Sequence, residues 1–292
     1  MFYAVITIIL ILLSYFIYIG NKNTHAVTIN DIQLDNGVES VGDQSLRILH
    51  ISDMHIENIS VTPDQLFEQL KNQPIDLIAL TGDFLDRKRS IPRLVPYLEA
   101  LRKLNPVHGM YAVFGNHDYV LRHPYFEQLK DVLNNHGVKT LQNENETLLI
   151  DGKTVNIIGV DDFGTGHSDL EKSYDEVGTG YNLVLTHDPN VVLEMADYHY
   201  DYLLSGHFHG GQIYWPKPYH LVKMGKLVRM NMVKGLQKYK GRSFYISEGL
   251  GQTGVNIRIG SRPEITFHTV QLQPAEIKQN AGEAERTPVF AG

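Results

Sequence analysis

Short apolar runs alternate with amphipathic segments over most of the chain. The apolar runs are rich in Ile, Leu, Val and aromatic residues, and they predict strands at residues 46–52, 75–82, 110–115, 155–160, 181–186, 200–206, 242–247 and 265–272. The amphipathic segments predict helices at residues 63–71, 91–104 and 125–135. Nearly continuous apolar strands separated by helices are typical of an α/β protein with buried sheets. Because the later strands follow one another closely, we expect part of the sheet to be mixed or antiparallel.

A longer apolar segment begins the chain. Residues 2–20 carry no charged side chain and are long enough to cross a membrane as a helix. No Lys or Arg precedes this segment and no clear small-x-small cleavage site follows it, so we interpret it as an uncleaved anchor. A cleaved signal peptide is the alternative. We expect a single-pass protein of the cell membrane. Lys22 is the only basic residue nearby, so the sequence does not indicate on which side the rest lies.

These patterns divide the chain into four parts. We expect a transmembrane anchor at residues 1–20, a polar tether with an edge strand at residues 21–45, and a folded α/β domain at residues 46–272. Residues 273–292 are polar, with Pro, Gly, Ala and Glu, and we expect a disordered tail there because such a segment cannot build an apolar core.

Composition narrows the chemistry. The 292 residues include 26 basic and 33 acidic side chains, a formal charge of −7, so bulk electrostatics argue against nucleic acid as a specific partner. The absence of cysteine excludes disulfides, thiolate metal sites and cysteine nucleophiles. The 14 histidines favour metal binding or acid–base chemistry. Nothing in the sequence indicates an obligate protein partner.

Polar side chains follow five of the predicted strands. The groups are Asp53 with His55, Asp83 with Asp86, Asn116 with His117, His187, and His207 with His209. One such group alone would be an ordinary polar loop, and the short His-x-His pair could equally be an exposed turn. Five groups together are different, because sites in open α/β sheets form at the carboxyl ends of strands. Buried carboxylates and imidazoles that converge there need a cation to compensate them.

The donor atoms of these groups indicate the type of metal. They are oxygen and nitrogen only, which suits borderline or hard divalent ions such as manganese, iron or zinc. Seven of these nine residues are candidate ligands, too many for one tetrahedral ion: Asp53, His55, Asp83, Asn116, His187, His207 and His209. They suit two ions that share a bridging carboxylate, as in two-metal hydrolases.

The order of the groups resembles the calcineurin-like metallophosphoesterase superfamily. The motifs D-x-H, G-D-x-x-D-R, G-N-H-D, H and G-H-x-H follow one another between residues 53 and 209. The stretches GHFHGGQI and GLGQTGVNIRIGSRPEI resemble the membrane-anchored or exported bacterial branch. The resemblance covers residues 46–272. It implies a metallophosphoesterase sandwich of two mixed β-sheets flanked by helices, with the N-terminal transmembrane helix added.

The resemblance also implies a role for each site residue. The first ion would be held by Asp53, His55 and His209, the second by Asn116, His187 and His207, and Asp83 would bridge them. His117 would not bind metal but would stabilise the transition state or protonate the leaving oxygen, with Asp86 as its orienting partner. We expect two divalent ions, with manganese first and iron or zinc as alternatives.

The implied activity is hydrolysis of a phosphodiester or pyrophosphate bond by metal-activated hydroxide. Related membrane-associated proteins hydrolyse UDP-2,3-diacylglucosamine, a pyrophosphate-linked glycolipid, so a lipid-linked substrate would suit an anchored enzyme. Phosphorylated small molecules, cell-wall phosphodiesters, phospholipids and nucleotides remain open. A non-catalytic metal-binding scaffold on the same fold is the alternative, and amide hydrolysis is a further one. The complete ligand set and His117 favour the phosphoesterase.

A basic stretch surrounds the last motif. Between Tyr202 and Ser247 there is no Asp or Glu but there are eight basic residues: Lys217, Lys223, Lys226, Arg229, Lys234, Lys238, Lys240 and Arg242. The stretch is either a solvated loop or a basic rim that attracts an anionic substrate or lipid headgroups. The candidate substrate-binding residues are Trp215, Lys217 and Arg262, with packing as the alternative for Trp215 and a structural role for Arg262.

Overall fold

Twelve strands form two six-stranded sheets in the computed structural model, which describes residues 2–34, 45–214 and 217–272. In chain order the strands are β1 (Thr28–Leu34), β2 (Ser45–Ile51), β3 (Leu77–Thr81), β4 (Met110–Val113), β5 (Val138–Thr140), β6 (Glu144–Ile150), β7 (Lys153–Gly159), β8 (Tyr181–Leu185), β9 (Tyr202–Ser205), β10 (Gly235–Tyr239), β11 (Arg242–Ile246) and β12 (Glu264–Gln271). The α-helices are α1 (Phe2–Thr24), α2 (Pro63–Leu70), α3 (Ile91–Lys103), α4 (Tyr125–Asn135), α5 (Leu170–Ser173) and α6 (Lys226–Arg229). Single 3₁₀ turns cover Lys88–Ser90, Asp118–Leu121, Pro189–Leu193, His209–Gly211 and Tyr219–Lys223.

Both sheets are mixed, as the sequence predicts. The first has the order β1-β12-β2-β3-β4-β5, in which only the β12–β2 pair is antiparallel. The second has the order β10-β11-β9-β8-β7-β6, with antiparallel pairs at both edges and parallel strands between them. Parallel neighbours end at the same edge of a sheet, so the loops after β2, β3 and β4 lie together, and so do those after β8 and β9.

Strand β2 shows how the core is layered. Leu46 and Ile48 point into an apolar core shared by the two sheets, while Leu49 and Ile51 point into a second core beneath α2, α3 and α4. A third core covers the outer face of the second sheet with residues from the short helices, including Leu227 of α6. Because the central strands are covered on both faces, nearly every position in them is apolar. That is why these strands are visible in the sequence.

The three strands absent from the prediction are β5, β6 and β10. They lie at or beside the sheet edges, and their residues alternate between buried and exposed positions, so they contain no continuous apolar run. The predicted edge strand before residue 45 is present as β1. Residues 35–44 of the predicted tether and the predicted tail at residues 273–292 lie outside the described residues.

Helix α1 is the candidate anchor. Its 23 residues include an 18-residue window with a mean hydropathy of 2.5 that is not buried by the rest of the protein. Its length and composition are sufficient to cross a membrane. The helix continues past residue 20 to Thr24, and within it Gly20 and Thr24 are buried. Its last turn therefore packs against the folded domain.

One buried carboxylate joins the loops that follow β3 and β4. Asp118 is fully buried and accepts hydrogen bonds from the backbone N–H groups of Asp83, Phe84 and Gly115, each at 2.9 Å, and of Leu85 at 3.4 Å. Asp118 is the last residue of the G-N-H-D motif, to which the sequence assigned no separate role. The structure shows that it fixes the relative positions of two loops.

We expect Asp118→Ala to lower the free energy of unfolding by about 3 kcal/mol, because backbone donors at a buried site would lose their acceptor. For a domain of this size that corresponds to a fall in Tm of about 6–12 °C. The measurement is thermal unfolding of the metal-stripped full chain in detergent. Asp131→Ala, which changes an exposed residue of α4, serves as the matched control. A Tm equal to that of the control would show that Asp118 is not the tie between the loops.

Candidate metal centre

Five loops from both sheets converge at the carboxyl ends of their strands. Three follow β2, β3 and β4 of the first sheet, and two follow β8 and β9 of the second. They bring together the side chains that the sequence analysis selected, namely Asp53, His55, Asp83, Asp86, Asn116, His117, His187, His207 and His209. Parallel strand ends place these loops side by side, and the stacking of two sheets places the two sets of loops against each other.

The backbone at this site adopts conformations that side chains disfavour. Positive φ angles between 35° and 76° occur at Asp53, His55, Asp83, His207 and His209. Each left-handed residue with a side chain costs about 1 kcal/mol, and such residues persist where the surroundings hold them firmly. Five of the seven predicted ligands share this feature. The chain therefore tolerates strain in order to direct these side chains to one place.

The first cluster contains Asp53, His55 and His209. One ligand atom from each lies within 4.8 Å of the others, and all three residues are buried. The His209 Nε2 atom is 3.2 Å from Asp53 Oδ1 and 3.2 Å from His55 Nε2. These are the three residues predicted to hold the first ion.

The second cluster contains Asp83, His187 and His207. Their ligand atoms also lie within 4.8 Å of one another. His187 Nε2 is 3.1 Å from Asp83 Oδ2 and 3.2 Å from His207 Nδ1. The same Asp83 Oδ2 atom is 3.5 Å from His55 Nε2, a member of the first cluster. Asp83 therefore belongs to the second cluster and also approaches the first, and its role as a bridging ligand stays a prediction.

Asn116, the remaining predicted ligand, lines the same cleft as Asp83 and His207. Its side-chain oxygen is buried and has no hydrogen-bond partner among the described residues. A buried amide oxygen without a partner is costly unless another group accepts its lone pairs. In both clusters two imidazole nitrogens also face each other at 3.2 Å. The oxygen and nitrogen donors thus fit divalent cations, which would compensate all of them at once.

His117 and Asp86 form a separate arrangement beside the clusters. Asp86 Oδ1 is 3.0 Å from His117 Nδ1 and 2.8 Å from His55 Nδ1. The backbone N–H of His117 donates to Asp83 Oδ1 at 2.8 Å. The imidazole of His117 also groups with His55 and Asp83, but it is 31% exposed, whereas that of His55 is fully buried. His117 thus lines the cleft, and its Nδ1 atom is held by the Asp86 carboxylate.

Burial and the neighbouring charged groups have opposite effects on the pKa values of His55 and Asp86. Burial lowers the pKa of His55, but hydrogen bonds to Asp83 and Asp86 outweigh it and raise that pKa to about 10. Burial raises the pKa of Asp86, but hydrogen bonds from His117 and His55 outweigh it and hold that pKa below its usual range. Asp86 is therefore a carboxylate at neutral pH, which lets it accept from both imidazoles.

The other histidines divide between raised and lowered pKa values. Burial lowers the pKa of His209 to about 3 despite the nearby Asp53, and burial followed by the charge of His187 lowers that of His207. The pKa of His187 is raised, because Asp83 outweighs burial. A neutral imidazole is the form that binds metal, and the lowered pKa values of His207 and His209 favour that form.

Two clefts open from the centre. The smaller, of about 230 Å³, is lined by His117 and His209 together with Gln212, Leu221, Met224 and Thr253. The larger, of about 630 Å³, includes Phe163, Leu193, Met224, Lys223 and Lys226. Asn116 and His207 line both. Two lysines of the basic stretch, Lys223 and Lys226, thus reach the site, and neither is among the substrate-binding residues predicted from the sequence.

Three other residues, Trp215, Lys217 and Arg262, were predicted from the sequence to bind substrate. Trp215 is outside the described residues. Lys217 is exposed and is not one of the described residues lining the two clefts. Arg262 lines a different cavity of about 430 Å³ that also contains Lys234 and Glu248. A substrate-binding role for these residues stays a prediction from the sequence.

Comparisons with known proteins identify the family. The family model described as calcineurin-like phosphoesterase matches residues 46–211, more than half of the chain. The uncharacterized metallophosphoesterase YkoQ of Bacillus subtilis (strain 168) is 58% identical over 270 residues, which cover 92% of this chain and 100% of YkoQ. The UDP-2,3-diacylglucosamine pyrophosphatase LpxG of Chlamydia trachomatis is 27% identical over 290 residues, covering 78% of this chain and 84% of LpxG.

A solved structure of similar fold is that of the calcineurin-like phosphoesterase YfkN from Bacillus subtilis. Its TM-score is 0.43 at 14% identity, and the match covers 79% of this chain and 91% of that one. The family model and the sequence relatives agree with the ordered motifs and with the convergence of their side chains. The chain therefore belongs to the calcineurin-like phosphoesterase family, and it is a metal-dependent phosphoester hydrolase.

Proposed function

We propose that the chain is a membrane-anchored, dinuclear phosphoesterase that hydrolyses a phosphodiester or pyrophosphate bond of a lipid-linked substrate. The observation that carries the proposal is the position of Asp83, whose Oδ2 atom is 3.5 Å from His55 Nε2 and 3.1 Å from His187 Nε2. A carboxylate that belongs to one cluster and reaches a histidine of the other is the arrangement that two neighbouring ions require. Manganese is the ion we propose, since oxygen and nitrogen donors suit it.

The two clefts support a substrate with groups on both sides of the reacting phosphorus. Asn116 and His207 line both clefts, so a phosphoryl group held at the centre would border both of them. A phosphodiester or a substituted pyrophosphate carries a group on each side of the reacting phosphorus, so it has two groups for two clefts, whereas a monoester has one. Lys223 and Lys226 in the larger cleft supply positive charge for an anionic group.

Apolar walls and an apolar helix support the lipid-linked class of substrate. Phe163, Leu193 and Met224 line the larger cleft beside the two lysines. Helix α1 would hold the domain at the membrane surface, where such a substrate is located. LpxG, a relative at 27% identity, is named for its action on UDP-2,3-diacylglucosamine, which combines a pyrophosphate with acyl chains.

The chain's own residues have defined tasks in this reaction. When bound, the two cations supply an activated water as nucleophile and offset the charge of the phosphate oxygens. Asp86 holds Nδ1 of His117, which leaves Nε2 of that ring as the atom that can give its proton to the leaving oxygen. Asp83 keeps the two clusters at a fixed separation.

We expect Asp83→Asn to lower kcat/KM by about a thousand-fold or more, because an amide bridges two cations poorly and removes one negative charge. The assay is Mn²⁺-dependent hydrolysis of bis-p-nitrophenyl phosphate by the full chain in detergent, beside p-nitrophenyl phosphate as the monoester. Asp131→Asn on the exposed face of α4 is the matched control. If the Asp83→Asn variant binds two ions and turns over at nearly the wild-type rate, Asp83 does not have the bridging role. A wild-type preference for the monoester would contradict the two-sided substrate.

We expect His117→Ala to retain about two ions per chain while kcat falls by about 10²–10⁴-fold, the usual range for loss of a general acid. The cause is that His117 contacts the leaving group rather than a cation. Elemental analysis of the purified variant, made together with the kinetics, separates the two roles. Loss of an ion on this substitution would make His117 a metal ligand and would contradict its assignment as the acid.

A further inference from the structure

Arg258 is a fully buried arginine outside the set of ligands. Its guanidinium donates hydrogen bonds of 2.7–3.2 Å to the carbonyl oxygens of His209, Glu248, Gly249, Gly251 and Arg262. Burial lowers the pKa of Arg258 to about 10, so it remains a cation at neutral pH. A buried charge needs several good partners, and here backbone carbonyls provide them.

The carbonyls that Arg258 holds belong to the loops that carry the first cluster. One is the carbonyl of His209 itself. Gly249 packs so closely on Asp53 that a Cβ atom at Gly249 would lie 2.7 Å from the Asp53 Cβ atom. The N–H of Gly251 donates to the Asp53 carbonyl at 2.7 Å. Arg258 therefore supports two of the three residues of that cluster through their backbones.

The backbone of Arg258 is in turn bonded to the last turn of α1. Its N–H donates to the Gly20 carbonyl at 2.8 Å, and its carbonyl accepts from Asn23 Nδ2 at 2.8 Å. Thr24 Oγ1 is also 2.7 Å from Ser60 Oγ. Within α1, Gly20 and Thr24 are buried, although the residues before them face outward. The end of the apolar helix is thus specifically docked rather than loosely tethered.

The fit at Gly20 leaves no room for a side chain. A Cβ atom there would lie 2.9 Å from the Cβ atom of Ile257, which precedes Arg258 in the chain. Contacts under 3.0 Å force one of the two segments to move. The glycine therefore permits the close approach on which both hydrogen bonds to Arg258 depend.

We propose that the last turn of α1, residues 20–24, is a positioning element of the metal centre, linked through Arg258 to Asp53 and His209. Docking of the helix and binding of the first ion then favour each other, because a coupling between two sites is reciprocal. The proposal deepens the proposed function and rests on its two-ion assignment. It also implies that α1 is not cleaved from the active protein. Removal of residues 1–21 would take away the Gly20 carbonyl that accepts the hydrogen bond from the Arg258 N–H.

The test is Gly20→Leu in the full chain, purified in detergent and stripped of metal. We expect one of the two Mn²⁺ ions to bind about 10–100-fold more weakly while the affinity for the other stays unchanged, which is the usual effect of losing support behind a ligand. Amide hydrogen exchange in residues 248–258 of the metal-free protein should also become faster. Ser14→Leu, an exposed position of the same helix, is the matched control and should change neither quantity.

A second variant covers the case in which Gly20→Leu does not fold. Asn23→Ala removes only the hydrogen bond to the Arg258 carbonyl. We expect it to lower the affinity for one of the two Mn²⁺ ions by about five-fold. Wild-type affinity for both ions in whichever variant folds, with unchanged exchange, would overturn the proposal. An equal loss of both ions would also overturn it. If the wild-type chain itself binds fewer than two ions, the two-ion assignment fails instead.

Discussion

A single buried carboxylate, that of Asp83, stands between two sets of imidazoles, and the surrounding structure keeps it there. Asp118 binds the backbone N–H of Asp83, and the N–H of His117 binds one Asp83 oxygen. Gly115 allows the loops to meet, because a Cβ atom at that position would lie 2.3 Å from Asp83 Oδ1. Converging donors of this kind need compensation, which divalent cations would provide. The strained backbone at the ligands has the same origin, since it directs their side chains to one point.

The sequence predicts the convergence of these side chains because parallel sheets follow a simple rule. Asp53, Asp83 and Asn116 each follow an apolar run, and parallel strands bring their ends to one edge. The central strands are visible because both of their faces are buried. The edge strands β5, β6 and β10 are not, because half of their positions face solvent and carry polar residues.

The remaining features depend on contacts between distant parts of the chain, which no local pattern contains. Lys223 and Lys226 look like any other members of the basic stretch until the fold places them in a cleft. Arg258 sits in a glycine-rich segment whose motif indicates a family but not a hydrogen-bonded arginine. The docking of Gly20 on Ile257 joins residues more than two hundred positions apart. An apolar pattern of 19 residues predicts a membrane helix but cannot show that its last turn belongs to the catalytic domain.

The central claim is that two ions share Asp83. A titration of the metal-stripped full chain with Mn²⁺, followed by electron paramagnetic resonance, tests it most directly. We predict two ions per chain whose spectrum is that of a magnetically coupled pair, because two neighbouring ions that shared a carboxylate would be magnetically coupled. Saturation at one ion, or two ions with the spectrum of isolated Mn²⁺, would contradict it.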